Sequence, residues 1–193
     1  MHGDIGRFDR FARPYDFVMP RARASKLRAG LALADREIAR ALDVGGGPGR
    51  AIRRLNVPES VVVDAATGML QRARTYGLET VGGDASRLPI RSSAVDAVLI
   101  VDALHHMSDV DEVVSEARRV LRPGGVLVVR EFDPATLLGR GLVAAEHVVG
   151  FDSEFYTPDA LADRIRAGGL TPTVVDRGFG YTVAGAAESE TPK

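Results

Sequence analysis

The stretch Arg40-Ala41-Leu42-Asp43-Val44-Gly45-Gly46-Gly47-Pro48-Gly49-Arg50 decides the fold. Its apolar start predicts a buried strand over 40–44, and its glycines predict a tight turn into a short helix over 50–55. Glycine suits such a turn because it adopts left-handed backbone conformations and lets a ligand approach the main chain without meeting a Cβ. The spacing is G-x-G-x-G, whereas dinucleotide-binding folds use G-x-G-x-x-G. Taken alone, the motif is also compatible with an ordinary strand-to-helix turn.

The composition restricts the classes of protein that the chain can belong to. It has 193 residues, a net charge of −1 and no cysteine. The lack of cysteine excludes disulfides, thiolate metal sites and cysteine nucleophiles. No apolar run approaches the ~18 residues of a membrane span, and the start of the chain lacks a signal-peptide core, so a cytoplasmic location is predicted. No basic stripe indicates nucleic-acid binding.

The charge is unevenly distributed along the chain. Residues 1–42 hold nine Arg or Lys against five Asp or Glu, a net charge of +4, so the remainder carries −5. The basic side chains are compatible with a solvated helix face or with a surface that meets an anionic or membrane-borne substrate. Peripheral membrane contact and the oligomeric state therefore stay open.

Strand-like and helix-like patterns alternate after the first strand. The further predicted strands cover 60–64, 78–81, 95–101, 126–129, 171–176 and 179–183. Helix starts are indicated at Thr67, at Ser108 or Asp109, and at Thr157 before Pro158. The last two strands are predicted to form a hairpin. The alternation predicts an α/β fold, a Rossmann-like open sheet of about seven strands, mostly parallel with an antiparallel last strand, with helices on both faces.

The chain shows no linker and no internal repeat. Residues 1–185 are therefore predicted to form one domain. Within it, residues 1–39 are predicted to be an N-terminal helical cover and residues 135–156 an inserted helix and loop. Residues 186–193 are predicted to be a disordered tail.

Acidic side chains and histidines follow the predicted parallel strands. They are Asp43 with the glycine loop, Asp64, Asp84 and the run Asp102-Ala103-Leu104-His105-His106. Open α/β sheets bind ligands at the carboxyl ends of their strands, so these groups predict one site. A carboxylate at Asp64 suits a ribose diol because it offers two acceptor oxygens. A helix cap at Asp64 and a turn residue at Asp84 are the alternatives.

Residues 36–185 resemble the class I S-adenosylmethionine-dependent methyltransferases. Asp43 to Gly49 resembles the first motif of that family, and Asp64 resembles its ribose-binding acid. Gly83-Asp84-Ala85 resembles its adenine loop, and the runs 103–107 and 119–125 resemble its segments after strand four and before strand five. The resemblance implies S-adenosylmethionine as cofactor, bound by a set of loop residues. These are Asp43, Gly45, Gly46, Gly47, Gly49, Asp64, Ala65, Met69, Gly83, Asp84, Ala85, Asp102 and Tyr15.

Three short runs are similar to the quinone-biosynthesis C-methyltransferases within that family. They are Phe11-x-x-x-Tyr15-Asp16, Thr67-Gly68-Met69-Leu70 and Leu104-His105-His106. The chain departs from that group in continuing with Phe17-Val18-Met19-Pro20 and in having no tryptophan. The resemblance implies methyl transfer to a small molecule, a quinone-like or other apolar metabolite.

His105 and His106 are the candidate catalytic residues. A histidine near its ordinary pKa of ~6.5 can act as a general base if the acceptor must lose a proton. The alternative is a hydrogen-bonded structural histidine. No third histidine and no cysteine lies nearby in the sequence, so no metal site is predicted.

Two other functions stay open, and one conformational prediction follows. The functions are a nicotinamide-dependent oxidoreductase and a non-catalytic S-adenosylmethionine-binding partner subunit. Residues 7–28 and 135–156 are further predicted to form a mobile cover over the cofactor. The side chains predicted to face the transferable methyl are Phe11, Tyr15, His105, Phe151, Phe155 and Tyr156.

Overall fold

The computed structural model describes residues 24–150 and 153–189, so the predictions for Phe11, Tyr15 and Phe151 lie outside the described residues. The described chain contains a seven-stranded sheet. Its strands are β1 Arg40–Val44, β2 Glu59–Asp64, β3 Glu79–Gly82, β4 Val95–Val101, β5 Leu121–Phe132, β6 Thr171–Asp176 and β7 Gly180–Ala186.

The strand order is β3-β2-β1-β4-β5-β7-β6. Strands β1 to β5 pair in parallel, and β7 is antiparallel to both of its neighbours. The predicted sheet with an antiparallel last strand is therefore confirmed, as is the closing hairpin. The two edges are β3, with four residues, and β6, which contains Pro172 and a break in register between Val174 and Asp176.

Helices cover both faces of the sheet, as predicted. The α-helices of the described residues are α1 Ala24–Leu31, α2 Thr67–Arg74, α3 Val110–Val120, α4 Leu137–Val149 and α5 Pro158–Ala167. Side chains of β4 alternate between two apolar clusters, Val98 and Ile100 in one and Leu99 in the other. Helices α3 and α5 contribute to the first cluster, and α1 and α2 contribute to the second. Burial on both faces explains why β4 is apolar without a break from Ala97 to Val101.

Most helix starts have the predicted chemistry. The Asp109 carboxylate accepts the N–H of Glu112 at the start of α3, and Thr157 caps α5 with Pro158 at the first helical position. None of the described helices combines the length and apolar character that a membrane crossing needs.

Three predicted boundaries are corrected. The helix expected over 50–55 is only a 3-10 turn, Ile52–Arg54, because few residues separate the glycine loop from β2. In the described part of the predicted helical cover over 1–39, the α-helix ends at Leu31, and the Asp35 N–H donates to the carbonyl of Gly124. Strand β5 begins at Leu121, directly after α3, rather than at residue 126 as predicted.

The predicted disordered tail begins too early. Ala186 belongs to β7, and the Ala187 N–H donates to the Gly125 carbonyl at 2.8 Å. The Glu188 carbonyl accepts the Gly124 N–H at 3.1 Å, and the Ser189 hydroxyl bonds Asp35. Residues 186–188 are therefore bound to the start of β5 by hydrogen bonds, and Ser189 is bound to Asp35. The remaining residues, 190–193, lie outside the described part.

Asp96 holds together the amino ends of the strands, opposite the predicted site. Its carboxylate is 1% exposed and accepts the N–H groups of Ala39 at 3.1 Å and Arg40 at 2.8 Å. It also pairs with the guanidinium groups of Arg36 at 2.8 Å and Arg122 at 3.1 Å. Burial alone raises the pKa of Asp96, but these donors and cations outweigh it and hold the pKa below its ordinary value.

Replacing Asp96 by Asn should destabilise the fold by about 1.5–3 kcal/mol near neutral pH, because hydrogen bonds to a charge are lost. The folded pKa lies below the unfolded value of ~3.9, so the carboxylate stabilises the protein above that pH and stops doing so as the pH falls through the folded pKa. Urea unfolding from about pH 7 to about pH 3 should therefore show the two proteins converging in acid. Glu59→Gln, which breaks an exposed pair with Arg40, is the control and should cost little. A constant gap at all pH values would contradict this role.

Candidate active site

The glycine loop adopts the left-handed conformations that its sequence predicts. Gly45, Gly47 and Gly49 have φ angles of +65°, +54° and +75°. A Cβ on Gly49 would lie 2.1 Å from Leu78 Cδ1, and one on Gly45 would lie 2.9 Å from Ala103 Cβ. A Cβ on Gly47 would have Met69 Sδ as its nearest neighbour, at 3.7 Å, so space is not limiting there. The first and third glycines therefore permit close packing, and the middle one provides the conformation on a more open face.

Asp43 is buried beneath this loop. It is 0% exposed, and a Cβ on Gly46 would lie 2.5 Å from its Cγ. Neither carboxylate oxygen has a hydrogen-bond partner among the described residues. Burial raises the pKa of Asp43 to about 7; the Ile52 amide lowers it in part without reaching hydrogen-bonding geometry, and the charge of Asp64 raises it further. A buried, unpartnered carboxyl next to a glycine loop is costly, which marks it as a functional candidate.

Asp64 connects the glycine loop to the chain beyond β2. One carboxylate oxygen accepts the Gly47 N–H at 2.8 Å, and the other accepts the Ala66 N–H at 2.8 Å. A carboxylate oxygen can accept two hydrogen bonds, so these contacts are compatible with a ribose diol at the same group. Asp64 is therefore not the helix cap that was its alternative, since Ala66 occupies that position, and it forms a turn that leaves the predicted ribose role open. Met69 lies buried beside the loop, and Ala65 is exposed next to it.

The predicted adenine loop forms a local turn. The Gly83 N–H donates to the Asp64 carbonyl at 3.2 Å, which places the loop beside the end of β2. One Asp84 oxygen accepts both the N–H of Ser86 at 3.0 Å and its hydroxyl at 2.9 Å. Ala85 is 6% exposed and belongs to the apolar core. Asp84 therefore has the turn role given as its alternative, and its cofactor role stays a prediction.

Asp102 directly follows β4 and has a strained backbone conformation. Its φ is +55°, which is uncommon for a residue with a side chain, and such outliers concentrate at functional sites. Its carboxylate pairs with the Arg130 guanidinium, and its N–H donates to the Arg130 carbonyl at 2.9 Å. Arg130 in turn lies 4.3 Å from the centre of the Phe132 ring. The sequence offered one sign of this pair, an arginine directly after the apolar run 126–129.

His105 is buried between carboxylates and aromatic rings. It is 2% exposed, and its Nδ1 lies 2.8 Å from Glu131 Oε2. Glu131 is itself fixed by the N–H groups of Leu104 at 2.8 Å and Phe132 at 3.2 Å. The Phe155 ring stacks on the imidazole at 4.4 Å and 13°. His105 thus has the hydrogen-bonded structural environment that was the alternative to catalysis.

The pKa values of the two histidines shift in opposite directions. Burial lowers the pKa of His105, but Glu131 and Glu146 raise it by more, so the net shift is upward. Burial and the neighbouring His105 lower the pKa of His106 to about 3, so His106 is neutral near pH 7. Burial raises the pKa of Glu131, yet His105 and two backbone amides bring it below its ordinary value. One imidazole is therefore biased toward the charged form and the other toward the neutral form.

Glu146 on α4 meets both histidines. One of its carboxylate oxygens lies 3.6 Å from His105 Nε2, and the two imidazole rings are 4.1 Å apart. The Ser153 hydroxyl lies 3.2 Å from His106 Nδ1. Sequence reasoning missed Glu131, Glu146 and Ser153, because only β5 and the return of the chain after α4 bring them to the histidines.

The predicted site residues form two adjoining groups. Asp43, the glycine loop and Asp64 lie at the ends of β1 and β2, and the histidine run follows the neighbouring β4. The contact between them is close, since a Cβ on Gly45 would lie 3.0 Å from Met107 Cε. Tyr156, predicted to face the methyl group, packs against the core, and its carbonyl accepts the Tyr181 hydroxyl at 2.7 Å.

The chain is similar to known methyltransferases. Residues 42–129 match the family model of a methyltransferase domain. A malonyl-acyl-carrier-protein O-methyltransferase of Methylococcus capsulatus is 32% identical over 178 residues, 84% of this chain and 63% of the relative. A ubiquinone/menaquinone biosynthesis C-methyltransferase of Dinoroseobacter shibae is 36% identical over 132 residues, 62% of this chain and 52% of the relative. The chain thus spans about half to two thirds of the length of these curated relatives.

A solved structure extends the likeness of the fold over nearly the whole chain. It is that of an S-adenosylmethionine-dependent methyltransferase of Thermotoga maritima, with a TM-score of 0.77 and 22% identity. The match covers 94% of this chain and 98% of the other. At this identity the likeness bears on the fold alone, and it confirms the predicted Rossmann-like fold.

The buried Asp43 carboxyl should make stability fall as the pH rises. Its folded pKa of about 7 exceeds the unfolded value of ~3.9, so the folded state binds the extra proton between these values. Asp43→Asn should therefore be more stable than the original protein between about pH 5 and about pH 8. The difference should grow by at most ~1.4 kcal/mol for each unit of rising pH until the folded pKa is reached, and should stay constant above it. Thermal unfolding without ligand measures this difference. Asp163→Asn, at an exposed carboxylate of α5, is the control, and parallel curves for Asp43→Asn would contradict the assignment.

Proposed function

Because the chain carries a class I S-adenosylmethionine-dependent methyltransferase domain, we propose that the protein methylates a small molecule, a quinone-like or other apolar metabolite. S-adenosylmethionine is the cofactor that the family and fold imply. The observation that carries the proposal is the pair of carboxyl groups around the glycine loop, with Asp43 beneath it and Asp64 bound to the Gly47 amide.

The residues at the strand ends fit S-adenosylmethionine chemically. Its methionine end carries an ammonium and a sulfonium, and the buried Asp43 carboxyl has no hydrogen-bond partner among the described residues. A positive charge above the loop would favour the ionised form of that carboxyl and so offset its burial. Asp64 would accept from the ribose hydroxyls, and the Gly83–Asp84 loop beside it would meet the adenine. When bound, the cofactor supplies an electrophilic methyl group.

The same geometry disfavours a nicotinamide dinucleotide. A pyrophosphate gains from backbone N–H groups at the start of a full helix, but the glycine loop leads into a short 3-10 turn. Asp43 and Asp64 would also place two acidic groups near the phosphates. The loop therefore suits a cationic cofactor better than an anionic one.

The surroundings of the histidines support an apolar acceptor. Phe155 stacks on His105, and the Phe132 and Phe179 rings lie 5.0 Å apart nearby. His106 is neutral near pH 7, the form that can accept a proton, although its low pKa makes it a weak base. Glu131 orients the His105 ring. In this proposal the histidines position the acceptor and take its proton where the reaction requires that step.

Cofactor identity is tested by calorimetry with S-adenosylmethionine, S-adenosylhomocysteine and NAD. We expect both adenosyl compounds to bind and NAD to give no heat. Asp64→Asn should weaken S-adenosylhomocysteine binding by about 10- to 100-fold, since a charged acceptor is worth ~1.5–3 kcal/mol. Glu79→Gln, an exposed acid at the opposite end of β3, is the matched control and should bind as the original protein does. Binding of NAD alone would refute the proposal.

Turnover is tested with methyl-labelled S-adenosylmethionine and two kinds of acceptor. The relatives' descriptions make a reduced quinone lacking one ring methyl and a malonyl thioester the informative pair. We expect label in the quinol. Label in the thioester alone would contradict the quinone-like acceptor and indicate an acyl thioester instead. Cofactor binding without transfer to either acceptor would favour the non-catalytic partner subunit.

A further inference from the structure

His105, His106 and Glu146 form a compact group of potential metal ligands. One ligand atom from each lies within 4.8 Å of the other two. His105 Nε2 and the nearer Glu146 oxygen are 3.6 Å apart. Two ligands about 2.1 Å from a zinc ion at a tetrahedral angle are themselves roughly 3.4 Å apart. His105 and Glu146 are therefore already spaced for an ion between them, and His106 lies close enough to join them after a small adjustment.

The group also has the supporting contacts that metal sites use. Glu131 accepts a hydrogen bond at His105 Nδ1 over 2.8 Å, which places the proton on that nitrogen and directs the Nε2 lone pair toward Glu146. A carboxylate behind a ligating histidine is the usual arrangement in zinc sites. The Ser153 hydroxyl lies 3.2 Å from Nδ1 of His106. Backbone N–H groups fix Glu131 itself.

Glu146 is incompletely hydrogen-bonded in this environment. Its second oxygen is buried and has no hydrogen-bond partner among the described residues. A protonated His105 between the two glutamates is the metal-free alternative; it would hydrogen-bond Glu131 at 2.8 Å and form only a longer ion pair of 3.6 Å with Glu146. Two carboxylates around one imidazole also leave net negative charge in a buried place. A divalent cation would balance that charge and would be coordinated by the Glu146 carboxylate.

We propose that His105, His106 and Glu146 bind one divalent transition-metal ion of the zinc type. Two imidazoles and a carboxylate match the ligands that zinc and its neighbours prefer, and three protein ligands leave a position open. That position would take water or, if the proposed methyl transfer is correct, an oxygen of the acceptor. In the metal-bound protein the histidine nitrogens that hold the ion would not serve as the base, and the histidines would only position the acceptor. The site was not predicted from the sequence because the third ligand, Glu146, comes from α4, far along the chain from the two histidines.

The test uses the full chain, stripped with a chelator, and Co²⁺ as a spectroscopic probe. We expect one equivalent of Co²⁺ to produce the visible absorption of a low-coordinate site, and Zn²⁺ to abolish it by competition. Glu146→Gln should weaken Co²⁺ binding by at least about tenfold. The matched control is His147→Gln, which removes an exposed histidine next in the chain, one whose Nδ1 meets only its own helix at Val143. The control should bind as the original protein does.

Two results would overturn the site. One is the absence of saturable one-to-one Co²⁺ binding by the original protein, and the other is equal weakening by His147→Gln and Glu146→Gln. Circular dichroism without metal checks that both variants fold. If Glu146→Gln does not fold, X-ray absorption at the zinc edge of the original protein decides, since two imidazoles in the ligand shell are required. Calorimetry with S-adenosylhomocysteine is scored separately, so failure of the cofactor proposal and failure of the metal proposal remain distinguishable.

Discussion

The carboxylate of Asp64 joins the two loops on which the site depends. It holds the Gly47 amide with one oxygen and the Ala66 amide with the other, so the turn after β1 and the turn after β2 share one anchor. The left-handed glycines set the path of the first loop, but this contact determines where the loop lies relative to its neighbour. Parallel pairing of β1 with β2 brings the two ends to the same level. The site is thus organised by the protein itself before any ligand arrives.

Two buried aspartates show how the ends of one sheet differ. Asp96, at the amino ends, meets two arginines and two amides, and its pKa falls. Asp43, at the carboxyl ends, has no hydrogen-bond partner among the described residues, and its pKa rises. The first arrangement stabilises the fold, and the second leaves a buried carboxyl without a compensating contact. The stabilising charge pairs and the proposed binding site therefore lie at opposite ends of the strands.

Local patterns predicted the strands and most helix starts because burial on both faces and capping are encoded within a few residues. The apolar run of β4 and the cap at Asp109 are examples. Contacts between distant segments were not predictable in the same way. Glu131 reaches His105 only through the pairing of β4 with β5, and Glu146 reaches it through α4. The 3-10 turn after the glycine loop was missed because its helical pattern is real but too short to complete a helix.

The edges of the sheet bear on how copies of the chain can associate. An exposed edge strand offers unpaired main-chain groups that can extend the sheet into another molecule. Here β3 has only four residues, and β6 contains Pro172, which cannot donate a main-chain hydrogen bond, and a break in its register. Both features shorten the stretch on which a second strand could align. Self-association by edge-to-edge strand addition, and the aggregation that starts in that way, is therefore disfavoured by the sequence of the edges themselves.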